Sequence, residues 1–247
     1  FQVSAARDEV PKIFQVDDEF LSKTPNLVLV SSGGAGFDTI DVEACSKRGI
    51  LVVNQTGGNA EAVAEHAVAL MLDLLKRVTE TDMLLRRGWS GAREDYIGNN
   101  LFEKTVGLIG LGNTGGRVAE ICNKAFNCNV LAYDPYISSA RFKDFNAENT
   151  KLNELLSKSD IVSVHIPLSK ETLDFIDKDF FSKMKNGSLF ITTSRGSIHN
   201  EDDLETFLKN GHLSGAGLDV WEKEPPSSDH KLLKLQNVVA TPHMAGV

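Results

Sequence analysis

The sequence predicts an α/β protein: a doubly wound parallel sheet of the Rossmann type, preceded by a smaller, incomplete α/β domain. Three observations carry this. Short apolar runs of strand length alternate with helix-like stretches from residue 105 to residue 241. The same strand–helix–strand rhythm occurs once, more briefly, between residues 26 and 54. Between the two lies a polar stretch with Gly88, Gly91 and Gly98, the composition of a linker. Strands alternating with helices imply parallel strands joined by crossovers, and such sheets bind ligands at the carboxyl ends of their strands.

Residues 26–31 (NLVLVS) are a short apolar run entering the glycine turn 31–36, the pattern of a buried strand. Residues 40–47 fit a short helix and 50–54 (ILVVN) a second buried strand; no element is expected ahead of the first polar stretch. Asn59 can cap the next helix, 62–78. Its apolar residues occupy more than one face, so it should be buried between domains or subunits. Residues 87–100 read as a loop. Then follow strand 105–110, a glycine loop, helix 117–125 and strand 129–133, which ends on Asp134. Helix 152–156, strand 160–166, helix 180–184, strand 187–193 and helix 201–208 continue the alternation. Strands 213–220 and 238–241 complete it. The boundary is placed at 97/98, giving domains 1–97 and 98–247.

Composition excludes several classes. The 247 residues carry a net charge of −8 with acids and bases interspersed, which argues against a nucleic-acid or anionic-membrane surface. Cys45, Cys122 and Cys128 lack metal-type spacing and read as reduced, buried thiols of a cytoplasmic protein; no metal site is predicted. No apolar run approaches the roughly 18 residues of a membrane helix, and no signal peptide is visible. Phe1 at the start, and an end four residues beyond His243, read as a piece of a longer protein.

The chemistry begins at Gly110-Leu111-Gly112-Asn113-Thr114-Gly115, set between a strand and a helix. Gly110 permits the tight turn, Gly112 lets the backbone approach a pyrophosphate, and Gly115 lets helix and strand pack closely. Free N–H groups at the helix start then face the anion. Asp134, at the end of the next strand, stands where ribose hydroxyls lie. Its charge repels a 2′-phosphate, and no base follows in Pro135-Tyr136, so the cofactor is NAD rather than NADP. Farther on, Arg195, Glu224 and His243 lie at or just beyond strand ends. They supply a planar fork for a carboxylate, a pKa tuner and a proton-transfer group. Singly, an Arg is usually in a surface ion pair and a Glu is usually solvated; the joint placement is what predicts a site. His199, His212 and His230 lie in polar stretches and receive no role. His66, inside an apolar helix, reads as structural, and His165 as packing beside the cofactor.

These residues sit in longer motifs: GAGFDTID (34–41), GILVVN (49–54), NAEAVAEH (59–66), KTVGLIGLGNTG (104–115) and YDP (133–135). HIPL (165–168), SRGS (194–197), GLDVWEKEP (217–225) and TPH (241–243) continue them. From about residue 25 to its end the chain resembles the D-isomer-specific 2-hydroxyacid dehydrogenase family, its phosphoglycerate-type members most of all. The family's opening strand and helix and its last helices have no counterpart in this reading.

The resemblance implies a substrate-binding role for 1–97 and NAD binding for 98–247. It implies that Arg195 holds the substrate's carboxylate and carbonyl oxygen. His243 would be the general acid in reduction and the base in oxidation, with Glu224 behind it. Gly34 and Ala35 would offer N–H groups to the carboxylate. Asn113 and Thr114 would meet the pyrophosphate, Ile166 and Pro167 the adenine side, and Asp219 the nicotinamide carboxamide. His165, Thr193, Ser194 and Ala245 complete the cofactor-lining set. The implied reaction is reversible hydride transfer between NAD and a D-2-hydroxy acid/2-keto acid pair, D-3-phosphoglycerate among the candidates. Ser32 and Gly33 stand where phosphoglycerate-type members tend to place a basic residue, which keeps glyoxylate, hydroxypyruvate and D-lactate-like acids open. Glu224 opposite the His excludes formate dehydrogenase chemistry, which moves no proton. A homodimer is the family's usual arrangement. The alternative from another class is an NADH-sensing corepressor-like binding module, which shares the fold; no basic or low-complexity tail supports it here.

Overall fold

The computed structural model describes residues 1–5 and 9–247, and in it the chain forms two units, Phe1–Ala60 and Glu61–Val247. In the first, strands β1 (Gln2–Val3), β2 (Leu29–Ser32) and β3 (Leu51–Val53) form a parallel sheet in the order β1-β2-β3. Helices α1 (Asp18–Ser22) and α2 (Val42–Lys47) both start on an aspartate. Asp17 accepts the N–H of Phe20 and Asp41 that of Ala44, satisfying a first-turn donor in each. Val3, Val16, Leu21, Val30, Ile40, Cys45 and Ile50 make the core, while Leu29, Leu51 and Val53 stay exposed. β1 and α1 correct the expectation that nothing precedes the first strand: elements of two and five residues are too short to show a period.

The second unit opens with α3 (Ala60–Lys76) and α4 (Val78–Arg86), followed by β4 (Thr105–Ile109), α5 (Asn113–Phe126), β5 (Asn129–Tyr133) and α6 (Ser139–Asp144). Then come β6 (Glu148–Asn149), α7 (Leu152–Lys158), β7 (Ile161–Val164), α8 (Lys178–Lys183), β8 (Ser188–Thr192), α9 (Glu201–Lys209), β9 (Leu213–Leu218) and β10 (Val238–Ala240). All seven strands pair in parallel, in the order β10-β9-β8-β7-β4-β5-β6. The chain therefore reverses its direction of winding between β4 and β7, where a doubly wound sheet opens its ligand crevice.

Both faces of this sheet are covered, and the side chains alternate accordingly. Val106, Leu108, Val130, Ala132, Leu189 and Ile191 join one core with α3 and α5. Ile109, Leu131, Val162, Val164, Phe190 and Leu218 join the other with α7, α8 and α9. α3 lies against β9: a Cβ on Gly217 would come 2.9 Å from Leu70 Cβ. Filling that contact would overpack the core at a cost of about 1–3 kcal/mol. This packing explains why the units divide at Ala60/Glu61 and not at 97/98. The apolar side of α3 is spent on the second sheet.

Other boundaries move for local reasons. The expected helix 62–78 breaks at Arg77, which is left-handed at φ 56°. Asp73 takes the Thr79 N–H at 2.7 Å, and Arg77 pairs with Glu80 and stacks on Tyr96, so a new helix starts there. α5 begins at Asn113, four residues before the expected start, because glycines mask its first turn. The short α6 and β6 were not expected.

His199 lies in apolar surroundings and not in polar ones. His212 sets its ring edge-on to Phe207, with Nε2 2.9 Å from the Met184 carbonyl. His199 is 1 % exposed, packs against Phe190, and neither ring nitrogen has a partner among the described residues. Burial pushes its pKa down to about 4. The folded state thus resists a proton that the unfolded chain accepts near 6.5. That stability is complete above about pH 6.5 and is lost as pH falls toward 4, by at most about 3 kcal/mol. In denaturant titrations between pH 7 and 4, His199→Val is expected to lose distinctly less stability than the wild type. Parallel losses would remove His199 as the cause.

Candidate functional site

The glycine loop leaves the carboxyl end of β4 at the point of reversal. Gly110 is at φ 90°, and a Cβ there would sit 2.7 Å from the His165 carbonyl. A Cβ on Gly115 would strike the Gly110 carbonyl at 2.2 Å. Those two glycines are required by the protein itself. Gly112 is different: a Cβ there would meet nothing within 4 Å. Gly112 is also the N-cap of the 14-residue α5 and makes no side-chain cap bond, so the first-turn N–H groups, including those of Asn113 and Thr114, are left without an intrahelical partner. Asp134 closes β5 beside it, its carboxylate accepting the Leu111 N–H at 3.0 Å and the Tyr136 N–H at 3.0 Å. Room over Gly112, unspent helix N–H groups and a carboxylate one strand away fit a dinucleotide's pyrophosphate and ribose.

The strand ends beyond the loop complete this edge. After β7, His165 is held by Ser163 Oγ at 2.9 Å from Nε2, and burial pushes its pKa down to about 4. Ile166 and Pro167 follow it at the same end. After β8, the Ser194 hydroxyl donates to the Val164 carbonyl at 2.8 Å, and buried Thr193 precedes it. Arg195 is next, half-buried, its guanidinium donating to the Ser194 carbonyl at 2.7 Å.

Glu224 and His243 meet. His243 Nδ1 lies 2.8 Å from Glu224 Oε2, and Glu224 Oε1 accepts the Trp221 N–H at 3.0 Å. The Glu224 carboxylate raises the His243 pKa above its ordinary value, against burial and the nearby Arg195 charge, which lower it. Burial works against the charge of Glu224, but its hydrogen bonds to His243 and Trp221 win, and its pKa falls. The pair favours imidazolium and carboxylate together, with Nδ1–H held by Glu224 and Nε2 left as the atom that gives or takes a proton.

His243 is left-handed at φ 55°, unusual for a residue with a side chain. Asp219, fully buried, holds it there. Its carbonyl accepts the His243 N–H at 2.7 Å. Its carboxylate accepts from Thr241 Oγ1 at 2.6 Å, Met244 N at 2.8 Å and Ala245 N at 2.9 Å. Strain of about 1–3 kcal/mol is outweighed by hydrogen bonds to a charge, each about 1.5–3 kcal/mol. Asp219 and Ala245 thus shape the turn that carries His243.

Three contributors had no role in the sequence reading. Trp221 donates its indole N–H to the Thr241 carbonyl at 3.0 Å, tying the Glu224 segment to the His243 segment. Thr241 bridges Asp219 and His66, whose Nε2 lies 2.9 Å from Thr241 Oγ1. His66 is therefore hydrogen-bonded into the site's support. The adjacency of Thr241 to Pro242-His243 was the available signal for one of them; nothing in the spacing pointed to the others.

Gly34 and Ala35 belong to the first unit. Their carbonyls accept the Gln55 N–H at 3.0 Å and the Asn54 amide at 2.8 Å, and the Gly34 N–H makes a long 3.4 Å contact with Ser32 Oγ. The Ala35 N–H has no partner among the described residues. Among those residues, no group of three His, Cys, Asp or Glu is placed to hold a metal, and no helix is long and apolar enough to cross a membrane.

The sequence profile of the "D-isomer specific 2-hydroxyacid dehydrogenase, NAD binding domain" matches residues 68–245. D-3-phosphoglycerate dehydrogenase of Archaeoglobus fulgidus is 44% identical over 94% of this chain and 44% of its own length. Glyoxylate reductase of Korarchaeum cryptofilum is 38% identical over 93% of this chain and 70% of its own. Among solved structures, D-lactate dehydrogenase of Aquifex aeolicus, complexed with NAD and lactic acid, superposes with a TM-score of 0.87. It shares 34% identity over 99% of this chain and 75% of that one. The chain spans less than half the length of the phosphoglycerate dehydrogenases it matches.

Proposed function

This chain belongs to the D-isomer-specific 2-hydroxyacid dehydrogenase family, and from that premise we propose that it reversibly oxidises a D-2-hydroxy acid to the 2-keto acid with NAD. The observation that carries the reading is the His243–Glu224 hydrogen bond beside Arg195. A proton donor of raised pKa beside a guanidinium is what a 2-keto acid needs in order to become an alcohol. Gly112 and the start of α5 would hold the pyrophosphate of NAD and Asp134 its ribose, and NAD bound there would supply the hydride acceptor or donor; the Asp134 carboxylate favours it over NADP. Arg195 orients the acid through its fork. His243 Nε2 gives its proton to the carbonyl oxygen in reduction and takes it back in oxidation. Glu224 fixes Nδ1–H toward itself, so that Nε2 faces the substrate in both protonation states. In the first unit, the N–H groups of Gly34 and Ala35 stand as proposed donors to a carboxylate.

D-3-Phosphoglycerate heads the candidate substrates on the strength of the Archaeoglobus relative. Glyoxylate and lactate remain the alternatives, after the Korarchaeum reductase and the Aquifex structure. The deciding experiment follows NADH consumption by the full-length protein with phosphohydroxypyruvate, hydroxypyruvate, glyoxylate and pyruvate. Turnover of none of them would discard the dehydrogenase reading in favour of a nucleotide-sensing module. We place the protein in the cytoplasm, consistent with three free, buried cysteines. Exposed Val78, Leu85, Trp89, Ile97 and Phe102 support a homodimer formed through this stretch. A monomeric mass by light scattering would reject it.

The pair also sets the pH dependence. Reduction needs the protonated His243, so its rate falls as pH rises through the raised pKa; oxidation needs the neutral form and rises through the same region. Glu224→Gln keeps the size and removes the charge, and is expected to lower that pKa. Both limbs of kcat/KM then move to lower pH. Profiles that stay in place would leave Glu224 as scaffold.

A further inference from the structure

Glu224 sits on a segment with little cover of its own. Glu222, Lys223, Pro225 and residues 227–229 around it are all exposed. A carboxylate on such a loop keeps a 2.8 Å bond to His243 only if something fixes the loop. The first turn of α9 does so from below. Glu201 is 5 % exposed, and its two oxygens reach opposite ends of the segment. Oε1 accepts the Glu222 N–H at 2.9 Å and Oε2 lies 3.0 Å from His230 Nε2. The next residue, Asp202, pairs with Lys231. His230 in turn sets its ring edge-on to Trp221, at 5.4 Å and 79°. Trp221 is the residue whose N–H holds Glu224 and whose indole holds Thr241. His230 thus lies in a built contact and not in the polar stretch its neighbours suggest.

We propose that Glu201, together with His230, is a positioning residue for catalysis: it clamps both ends of the 222–230 segment so that the Glu224 carboxylate stays on His243 Nδ1. Neither residue touches the reacting atoms. Their action runs through Glu222, Trp221 and Glu224. A purely structural role would cost stability when the clamp is removed and leave His243 unchanged. A positioning role changes the charge that His243 feels. The inference rests on the dehydrogenase reading for its meaning, but the titration of His243 can be measured without any substrate.

The test is an NMR titration of the His243 imidazole in the full-length protein, for wild type, Glu201→Ala, Glu201→Gln and His230→Phe. Glu224, Arg195 and Asp219, the charged groups acting on His243, are intact in all four. Glu201→Ala is expected to bring the titration down toward the ordinary value near 6.5. Glu201→Gln, whose amide oxygen still accepts the Glu222 N–H, should restore most of the shift. His230→Phe keeps the ring against Trp221 and frees one end of the clamp, so it should give an intermediate drop. It decides alone if Glu201→Ala does not fold. In folded variants, kcat/KM for the keto acid should fall near neutral pH in step with the loss of imidazolium, while NADH affinity stays within about twofold. A His243 titration unmoved in every folded variant overturns the proposal. Absence of turnover in the wild type overturns the dehydrogenase reading instead, and leaves the titration result standing.

Discussion

His243→Asn is expected to lower turnover in both directions by about 10²–10⁴-fold, the usual worth of a positioned acid–base group. Asparagine is the informative replacement. The backbone there is left-handed at φ 55°, and Asn enters that region more readily than other non-glycine residues. The turn, its Asp219 bonds and the protein's stability should survive. The variant lacks a group that titrates near neutrality, so the remaining rate should also lose the pH limb assigned to His243. NADH affinity, which the proposed reading assigns to the glycine loop and Asp134, should change little. Stopped-flow reduction of the best keto acid, with a fluorescence titration of NADH, reads both quantities. Residual turnover within tenfold of wild type would take His243 out of the chemistry and leave its bond to Glu224 as a structural contact.

What the sequence disclosed follows from the range of the interactions involved. β4, β5, β7, β8 and β9 are buried on both faces, so each shows as a short continuous apolar run, and the observed strands fall inside the expected ones. The glycine loop was legible because Gly110 takes a left-handed turn at φ 90°, Gly115 answers to the nearby Gly110 carbonyl and Gly112 to open space. Arg195, Glu224 and His243 were legible as residue types at strand ends, and the 2.8 Å bond between the last two agrees with that reading. The rest depends on contacts remote in sequence. The domain boundary was misplaced because α3 finds its partner in β9, some 140 residues on, through a glycine whose reason is a distant leucine. His199 sits among polar neighbours in sequence and apolar ones in space. The His66–Thr241 and Glu201–His230 bonds join residues 175 and 29 positions apart, which no local period records.

Arg195→Lys separates charge from shape. The Arg195 guanidinium donates to the Ser194 carbonyl at 2.7 Å, while Ser194 is tied to the end of β7 through its hydroxyl. On the other side, a Cβ at Gly196 would overlap the Trp221 carbonyl at 1.9 Å, so the backbone after Arg195 lies directly on the segment leading to Glu224. The fork is therefore aimed by two strand ends. Lysine keeps the positive charge, which lowers the His243 pKa, but offers one nitrogen where a planar group reaches two oxygens. Losing one charged hydrogen bond of about 1.5–3 kcal/mol should reduce kcat/KM by roughly 10–150-fold. If the lost bond strengthens in the transition state, kcat falls as well as KM rising. The pH limbs should stay within a few tenths of a unit, since the charge remains, and NADH affinity should stay within about twofold. Steady-state kinetics against pH, with the keto acid varied, read all of this. Wild-type kinetics in the Lys variant would mean that Arg195 acts as a point charge or not at all, and the carboxylate would have to be held by other donors.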